Sequence, residues 1–198
     1  MKRFFAAVLI LMFSTSLSVF AFSDVREGDW YYPYITDLTD RGIINGRPDG
    51  SFAPGASLTR AEFVKMLALA SGDDLPDGKT GFEDVSESAW YAPYIAWAEN
   101  RGVVLGHNGI FDHSGSISRQ DMAVILVRYA ESAGIELPRT EPAPSYADAP
   151  DIADYAAEAV YFLQKAGIMS GNTACEFRPK EPATRAEAAK IISAMLEI

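Results

Sequence analysis

The sequence predicts a mainly α-helical fold made of three copies of one helix–loop–helix unit. Three observations support this prediction. A short motif that ends in an aspartate recurs at intervals of 60 and 64 residues, at Asp24, Asp84 and Asp148. Downstream of each motif, apolar residues follow the spacing of a helix that buries one face. Each copy then ends in a second apolar stretch that opens with a helix-start signal.

The first 21 residues have the pattern of a secretory signal peptide. Met1-Lys2-Arg3 is basic, an apolar run extends to Phe13, and Val19-Phe20-Ala21 ends in the small residue that signal peptidase requires. We expect cleavage after Ala21 and secretion of the remaining chain, which contains no second stretch of spanning length. An uncleaved anchor is the alternative, because the apolar segment 4–22 nearly reaches the length of a membrane span.

The chain is acidic, and its charge limits the partners that it can bind. It carries 17 Lys and Arg against 27 Asp and Glu, a net charge of −10, and loss of Lys2 and Arg3 would change this to about −12. A surface of this charge disfavours nucleic acid and anionic lipid. An anionic ligand would therefore need local basic pockets.

Cysteine and histidine usage gives no sign of a metal or cofactor. Cys175 is the only cysteine, so the sequence allows no internal disulfide and no zinc site of several cysteines. His107 and His113 flank a loop that includes Asp112, but only one unit has this set, and ordinary surface histidines are the better interpretation. We predict neither a metal nor a cofactor.

The first helix of each unit is predicted between an aromatic residue and a glycine. The aromatic residues are Trp30, Trp90 and Tyr155. A glycine stands twelve residues after each of them, at Gly42, Gly102 and Gly167. Such a glycine is typical of the left-handed position just beyond a helix C-terminus. Pro33 and Pro93 fit the first turn, where a helix needs no N–H donor.

The second helix of each unit is predicted from its cap. Thr59 with Glu62, and Thr184 with Glu187, form the capping-box pattern that starts a helix. The middle unit has Ser118 and the shorter Asp121, so its first turn is expected to fray more. The apolar stripes that follow are too wide for one helix pair to bury, and the three pairs must therefore pack together.

An arginine occupies the first position of each second helix, at Arg60, Arg119 and Arg185. The helix dipole disfavours a cation there by about 0.3–1 kcal/mol. Its recurrence suggests an anion site formed by the guanidinium and the free N–H groups of the helix start. A structural salt bridge to an aspartate of a neighbouring unit is the alternative.

The order of these signals resembles the S-layer homology motif: Phe-x-Asp-Val, Trp, Gly-Ile-Ile-x-Gly, Phe-x-Pro and Thr-Arg-Ala-Glu. The copies would occupy residues 22–72, 82–134 and 146–198, joined by linkers 73–81 and 135–145. The resemblance implies a single-chain pseudo-threefold trimer that is mainly helical. It also implies non-covalent anchoring to bacterial cell-wall glycans, commonly secondary cell-wall polymers with acidic pyruvyl groups, bound in the grooves between motifs.

The resemblance implies nine ligand-binding residues, namely Arg60, Arg119, Arg185, Trp30, Trp90, Tyr155, Asp24, Asp84 and Asp148. An Arg fork can hold a ketal carboxylate, and an indole face can stack on a sugar. The alternatives are a helix-capping role for the aspartates and a core position for the tryptophans. Tyr155 replaces the expected Trp, and Ala149 follows Asp148 where Val is usual, so the groove built on Tyr155 is expected to be the weakest.

A wall-binding module without enzymatic activity is the leading functional hypothesis. Its expected partners are a secondary cell-wall polymer or peptidoglycan and an envelope protein, and its expected location is the cell wall, the S-layer or the cell surface. A self-assembling S-layer or envelope scaffold is the second hypothesis. A wall-modifying hydrolase is the least favoured, because every distinctive residue recurs in equivalent places and none is left to form an asymmetric catalytic site.

Overall fold

A computed structural model describes residues 22–140, 142 and 145–198. The predicted signal peptide, residues 1–21, and part of the second predicted linker therefore lie outside the described residues. Six α-helices and one 3₁₀ turn make up the regular structure of these ranges, which contain no β-strand. The predicted mainly helical fold class is confirmed. None of the helices in this part of the chain is both long and apolar enough to cross a membrane.

The first helices of the units lie where the sequence predicts them. They are α1 (Tyr32–Asp40), α3 (Ala92–Asn100) and α5 (Asp154–Lys165). Proline occupies the first turn of α1 and of α3. The glycines beyond the three helices have the predicted left-handed backbone, with φ of 71°, 69° and 72° at Gly42, Gly102 and Gly167.

The second helices each begin at the predicted arginine. They are α2 (Arg60–Ser71), α4 (Arg119–Ala133) and α6 (Arg185–Leu196). Complete capping boxes start α2 and α6. At α4 the Ser118 hydroxyl accepts a hydrogen bond from the N–H of Asp121. The same hydroxyl donates to the Asp121 carboxylate, which is too short to complete a capping box with the backbone N–H of Ser118. The predicted apolar stripes of all three helices are buried.

The units pack by pairing a second helix with the first helix of the following unit. Helix α2 packs against α3, α4 against α5, and α6 returns to α1, while α2 also contacts α6. Every unit therefore buries its apolar stripe mainly against another unit. This explains why one helix pair alone could not form a core.

A closed cycle of backbone hydrogen bonds joins the residues that precede the three capping residues. Leu58 N–H donates to Ala183 O at 3.0 Å, Ala183 N–H to Ile117 O at 2.9 Å, and Ile117 N–H to Leu58 O at 2.9 Å. All three side chains are buried. The implied pseudo-threefold arrangement stays a prediction. Such an arrangement requires each unit to contact the next in a cycle, as these three hydrogen bonds do.

Each loop between the two helices of a unit contains a buried phenylalanine followed by a residue with positive φ. The φ values are 59°, 62° and 58° at Ala53, Asp112 and Arg178. A left-handed backbone costs an L-residue about 1–2 kcal/mol. All three units contain this unfavourable conformation, which indicates that the turn has the same structural role in each.

We expect Ala53→Gly to raise the free energy of unfolding by about 0.5–1 kcal/mol, because relief of the left-handed backbone exceeds the entropy that glycine gains when unfolded. Urea melts provide the measurement. Ala194→Gly, inside α6, is the matched control and should lose about 1 kcal/mol. A loss of stability in Ala53→Gly would show that the turn is not strained.

Candidate functional site

Three open grooves lie between the units, and each groove is lined by residues from all three units. The Arg185 groove, about 320 Å³, combines Arg185 with α2, the loop after α1, and Trp90. The Arg60 groove, about 730 Å³, combines Arg60 with α4, the loop after α3, and Tyr155. The Arg119 groove, about 590 Å³, combines Arg119 with α6, the loop after α5, and Trp30. The predicted arginines and aromatic residues therefore meet in pairs that no single unit could supply.

The helix N-termini are not free to bind an anion, which corrects one part of the sequence prediction. The first two N–H groups of each second helix donate to carbonyls of another unit; in α2, Arg60 N–H donates to Gly115 O and Ala61 N–H to His113 O. The third N–H donates to the capping hydroxyl. An anion in these grooves must therefore bind to side chains.

Each arginine reaches across a unit boundary to the buried phenylalanine of the next loop. Its Nε donates to the phenylalanine carbonyl at 2.8–2.9 Å, and its guanidinium carbon lies 4.5–5.0 Å from the centroid of the same ring. The pairs are Arg60–Phe111, Arg119–Phe177 and Arg185–Phe52. All three arginines therefore join units together, whatever ligand they bind.

The arginines also form ion pairs across unit boundaries, but with the capping acids and not with the motif aspartates. Arg119 Nη1 lies 2.9 Å from Glu187. The corresponding distances are 3.8 Å from Arg60 to Asp121 and 3.8 Å from Arg185 to Glu62. Salt bridges between units, the structural alternative for these arginines, are therefore present, but their acidic partners differ from the predicted aspartates. The shortest of them is formed by Arg119.

The three guanidinium groups differ in how many of their donors the protein uses. Arg119 also donates through Nη2 to Ser170 O at 2.9 Å, and Arg185 donates through Nη2 to Asn45 O at 2.9 Å. Arg60 makes no such third contact within the described ranges. Burial lowers the pKa of Arg119, an effect that Glu187 opposes, and the side chain of Arg119 is only 6 % exposed. Arg119 is therefore the most structural of the three, and Arg60 the least.

The motif aspartates hold the strained loops. Asp84 accepts hydrogen bonds from the backbone N–H groups of Phe111, Asp112 and His113 at 2.8, 2.8 and 3.3 Å. Asp24 and Asp148 each accept two equivalent bonds at 2.7–2.8 Å. Burial raises the pKa of Asp84, but the backbone donors outweigh it and the net shift is downward.

The alternative helix-capping role of the aspartates is wrong, because within the described residues no side chain caps α1 or α3, and Asp148 caps no N–H of the 3₁₀ turn. Ligand binding by these aspartates stays a prediction, although their contacts favour structure. They position the loop whose phenylalanine carbonyl receives the arginine. An aspartate thus acts on a groove through the backbone.

The aromatic residues are exposed on the groove walls. Trp30 and Trp90 are 55 % exposed and Tyr155 is 62 % exposed, so the alternative core position of the tryptophans is wrong. The Tyr155 hydroxyl donates to Asp121 at 2.7 Å and accepts from Gln120 at 3.0 Å. Burial, followed by the hydrogen bond to Asp121, raises the pKa of Tyr155 to about 12. Asp121 and Tyr155, which depart from the pattern of the other units, therefore meet in the Arg60 groove. That this groove binds ligand most weakly stays a prediction.

Further basic side chains line the grooves and escaped the sequence prediction. Lys65 and Lys190 each stand three residues after a capping glutamate, on the same face of α2 and α6. That spacing was the available signal. Among the described residues no cluster of three or more His, Cys, Asp or Glu side chains is placed to hold a metal, and His113 instead stacks on Tyr91 with ring centroids 4.4 Å apart.

Comparison with known proteins gives one family and several relatives. The family model of the S-layer homology domain matches residues 21–64, 81–123 and 145–189. An endoglucanase of Bacillus sp. (strain KSM-635) is 36% identical over 90% of this chain and 19% of its own length. An S-layer protein of Bacillus thuringiensis subsp. finitimus is 36% identical over 87% of this chain and 21% of its own. The S-layer protein sap of Bacillus anthracis is 35% identical over 87% and 21%. The chain spans about a fifth of the length of these relatives.

Proposed function

Because the chain belongs to the S-layer homology domain family, we propose that it anchors non-covalently to the bacterial cell wall by binding an acidic secondary cell-wall polymer in its three grooves. The family and its S-layer relatives indicate association with the cell wall and the S-layer. The acidic group that we propose is a pyruvyl ketal. Secretion through the signal peptide is part of the same proposal.

The observation that carries this proposal is the repeated composition of the grooves. Each has an arginine, an exposed aromatic ring and a wall from a third unit. A guanidinium can donate two parallel hydrogen bonds to a carboxylate, and an exposed ring can stack on the apolar face of a sugar. A polymer with alternating acidic groups and sugar rings matches this combination.

We propose that the chain itself is not catalytic. The segment shared with the endoglucanase and with the S-layer proteins covers about a fifth of each, so it accompanies proteins with different names. That distribution fits a module for attachment. The S-layer relatives also favour a second function, assembly into an envelope layer, which electron microscopy of the concentrated protein would test.

We expect residues 22–198 to pellet with purified wall sacculi and to stay in solution after the secondary polymers have been removed by acid extraction. The grooves should then have no acidic ligand. Equal binding to extracted sacculi would identify peptidoglycan as the ligand. Failure to bind either preparation would remove the anchoring proposal.

The variants for this experiment replace exposed aromatic residues inside and outside the grooves. Trp30→Ala combined with Trp90→Ala removes two exposed groove walls and should abolish pelleting with an unchanged urea melt. Tyr161 is also exposed, at 41 %, but lines none of the three grooves. Tyr161→Ala should therefore pellet like the unaltered protein.

A further inference from the structure

The charged residues that line the grooves give two grooves an excess of cations and leave the third balanced. The Arg185 groove is lined by three cations and one carboxylate, namely Arg47, Lys65, Arg185 and Glu62. The Arg119 groove has the same balance, formed by Arg119, Arg178, Lys190 and Glu187. The Arg60 groove has two of each sign, besides the neutral His107: Arg60, Arg128, Asp112 and Asp121. Charge therefore favours an anion in the Arg185 and Arg119 grooves.

The protein's own carboxylates already bind most of the cations in the Arg119 groove. Glu187 lies 2.9 Å from Arg119 and 3.7 Å from Arg178, and Arg178 also pairs with Glu181 at 2.9 Å. Arg178 Nε has no hydrogen-bond partner among the described residues, but this atom is buried and faces no solvent. An incoming anion must displace internal partners here, which reduces the net gain.

The cations of the Arg185 groove are available. Within the described part of the chain, neither Arg47 nor Lys65 has a carboxylate within 4.0 Å. Arg185 Nη1 is 3.8 Å from Glu62, which is beyond hydrogen-bond distance. This groove thus offers two unpaired cations and one partly used guanidinium.

Aromatic rings of the neighbouring unit hold the Lys65 ammonium in place. Its Nζ lies 5.5 Å from the centroid of Trp90 and 5.9 Å from that of Tyr94. Cation–π attraction at such distances favours this conformation of a flexible lysine, so less side-chain entropy is lost when it binds an anion. The ammonium also lies over the ring of Trp90. No such cation lies over Trp30 among the described contacts.

We infer that the Arg185 groove is the anion-selective groove of this protein and that Lys65 determines this selectivity, binding with Arg47 and Arg185 an anionic substituent of the wall glycan. The inference rests on the proposed function and adds to it one groove and two residues outside the recurring motif. The anionic substituent is a carboxylate or a phosphate, because both accept hydrogen bonds from ammonium and guanidinium donors.

The test is calorimetric titration with a soluble fragment of the polymer, released by enzymatic digestion of the sacculi so that its acid-labile groups stay intact. We expect Lys65→Gln to weaken binding about tenfold, the effect of losing one charge-assisted hydrogen bond, and to reduce its salt dependence. Lys65→Arg should retain binding. Lys190→Gln is the equivalent change in the Arg119 groove and should weaken binding clearly less than Lys65→Gln. Urea melts establish that all variants are folded.

Intrinsic fluorescence identifies the groove independently. Binding should change the emission of Trp90 more than that of Trp30, so the signal should fall more in Trp90→Phe than in Trp30→Phe. Fragments whose ketals are hydrolysed by mild acid, or whose phosphodiesters are cleaved by hydrofluoric acid, distinguish a carboxylate from a phosphate. Equal affinities of Lys65→Gln and Lys190→Gln, or a signal that depends on Trp30 alone, would overturn the inference but not the proposed function. If the unaltered protein ignores intact sacculi, both fail.

Discussion

Arg119→Ala is expected to lower the free energy of unfolding by about 3 kcal/mol, since removal of one partner from a buried ion pair typically costs 3–5 kcal/mol and Glu187 is partly solvated. The change removes hydrogen bonds to Phe177 O, Ser170 O and the Glu187 carboxylate. Relief of the helix dipole returns only about 0.3–1 kcal/mol.

The same substitution at the other two positions forms a graded series. Arg185→Ala breaks two hydrogen bonds to carbonyls, and Arg60→Ala breaks one. With about 1 kcal/mol for each hydrogen bond, the expected losses are about 2 and about 1 kcal/mol. Urea melts of the three variants provide the measurement. Equal losses at all three positions would show that the differences in the number of contacts carry no energetic weight.

Asp84→Ala is expected to cost about 3 kcal/mol at neutral pH, because it leaves three backbone N–H groups of a strained turn without their charged acceptor. Asp84→Asn should cost less, since the amide oxygen can still accept. Asp77, which is exposed in the first linker, provides the control, and Asp77→Ala should be neutral.

The contribution of Asp84 should depend on pH in a direction that its pKa fixes. Its pKa is lowered in the folded state, so the carboxylate stabilises the fold above the ordinary aspartate pKa of about 3.9. This stability is lost as the pH falls through the lower, folded value. The difference in stability between the unaltered protein and Asp84→Asn should therefore be large at pH 7 and shrink below about pH 4. A difference that is constant with pH would mean that the charge of Asp84 contributes nothing.

The helices were predictable because their signals are local. A threonine with a glutamate three residues later indicates a helix start at that threonine. A glycine such as Gly102 indicates the end of the helix that precedes it. Both depend on backbone geometry within a few residues. The first position of each second helix could therefore be predicted without any knowledge of the packing.

The partners of the site residues were not predictable, because they are backbone atoms far away in the sequence, in the same unit for Asp84 and in another unit for Arg185. Asp84 binds amides 27–29 residues away, and Arg185 binds the carbonyl of Phe52 at a separation of 133 residues. Every residue type has these backbone groups, so they leave no pattern in the sequence. Lys65 is an exception, because its spacing of three residues from Glu62 is a local pattern in the sequence.

Because the last unit packs against the first, the loss of one unit affects every groove. In a linear repeat array each unit contacts only its neighbours, and a shortened array keeps working sites. Here α6 packs against α1, and each groove takes residues from all three units. A chain that lacks its last unit would thus retain no complete groove, and under the proposed function proteolytic loss of any one unit would abolish wall binding in one step. Wall binding, as proposed, would then require all three units to be intact.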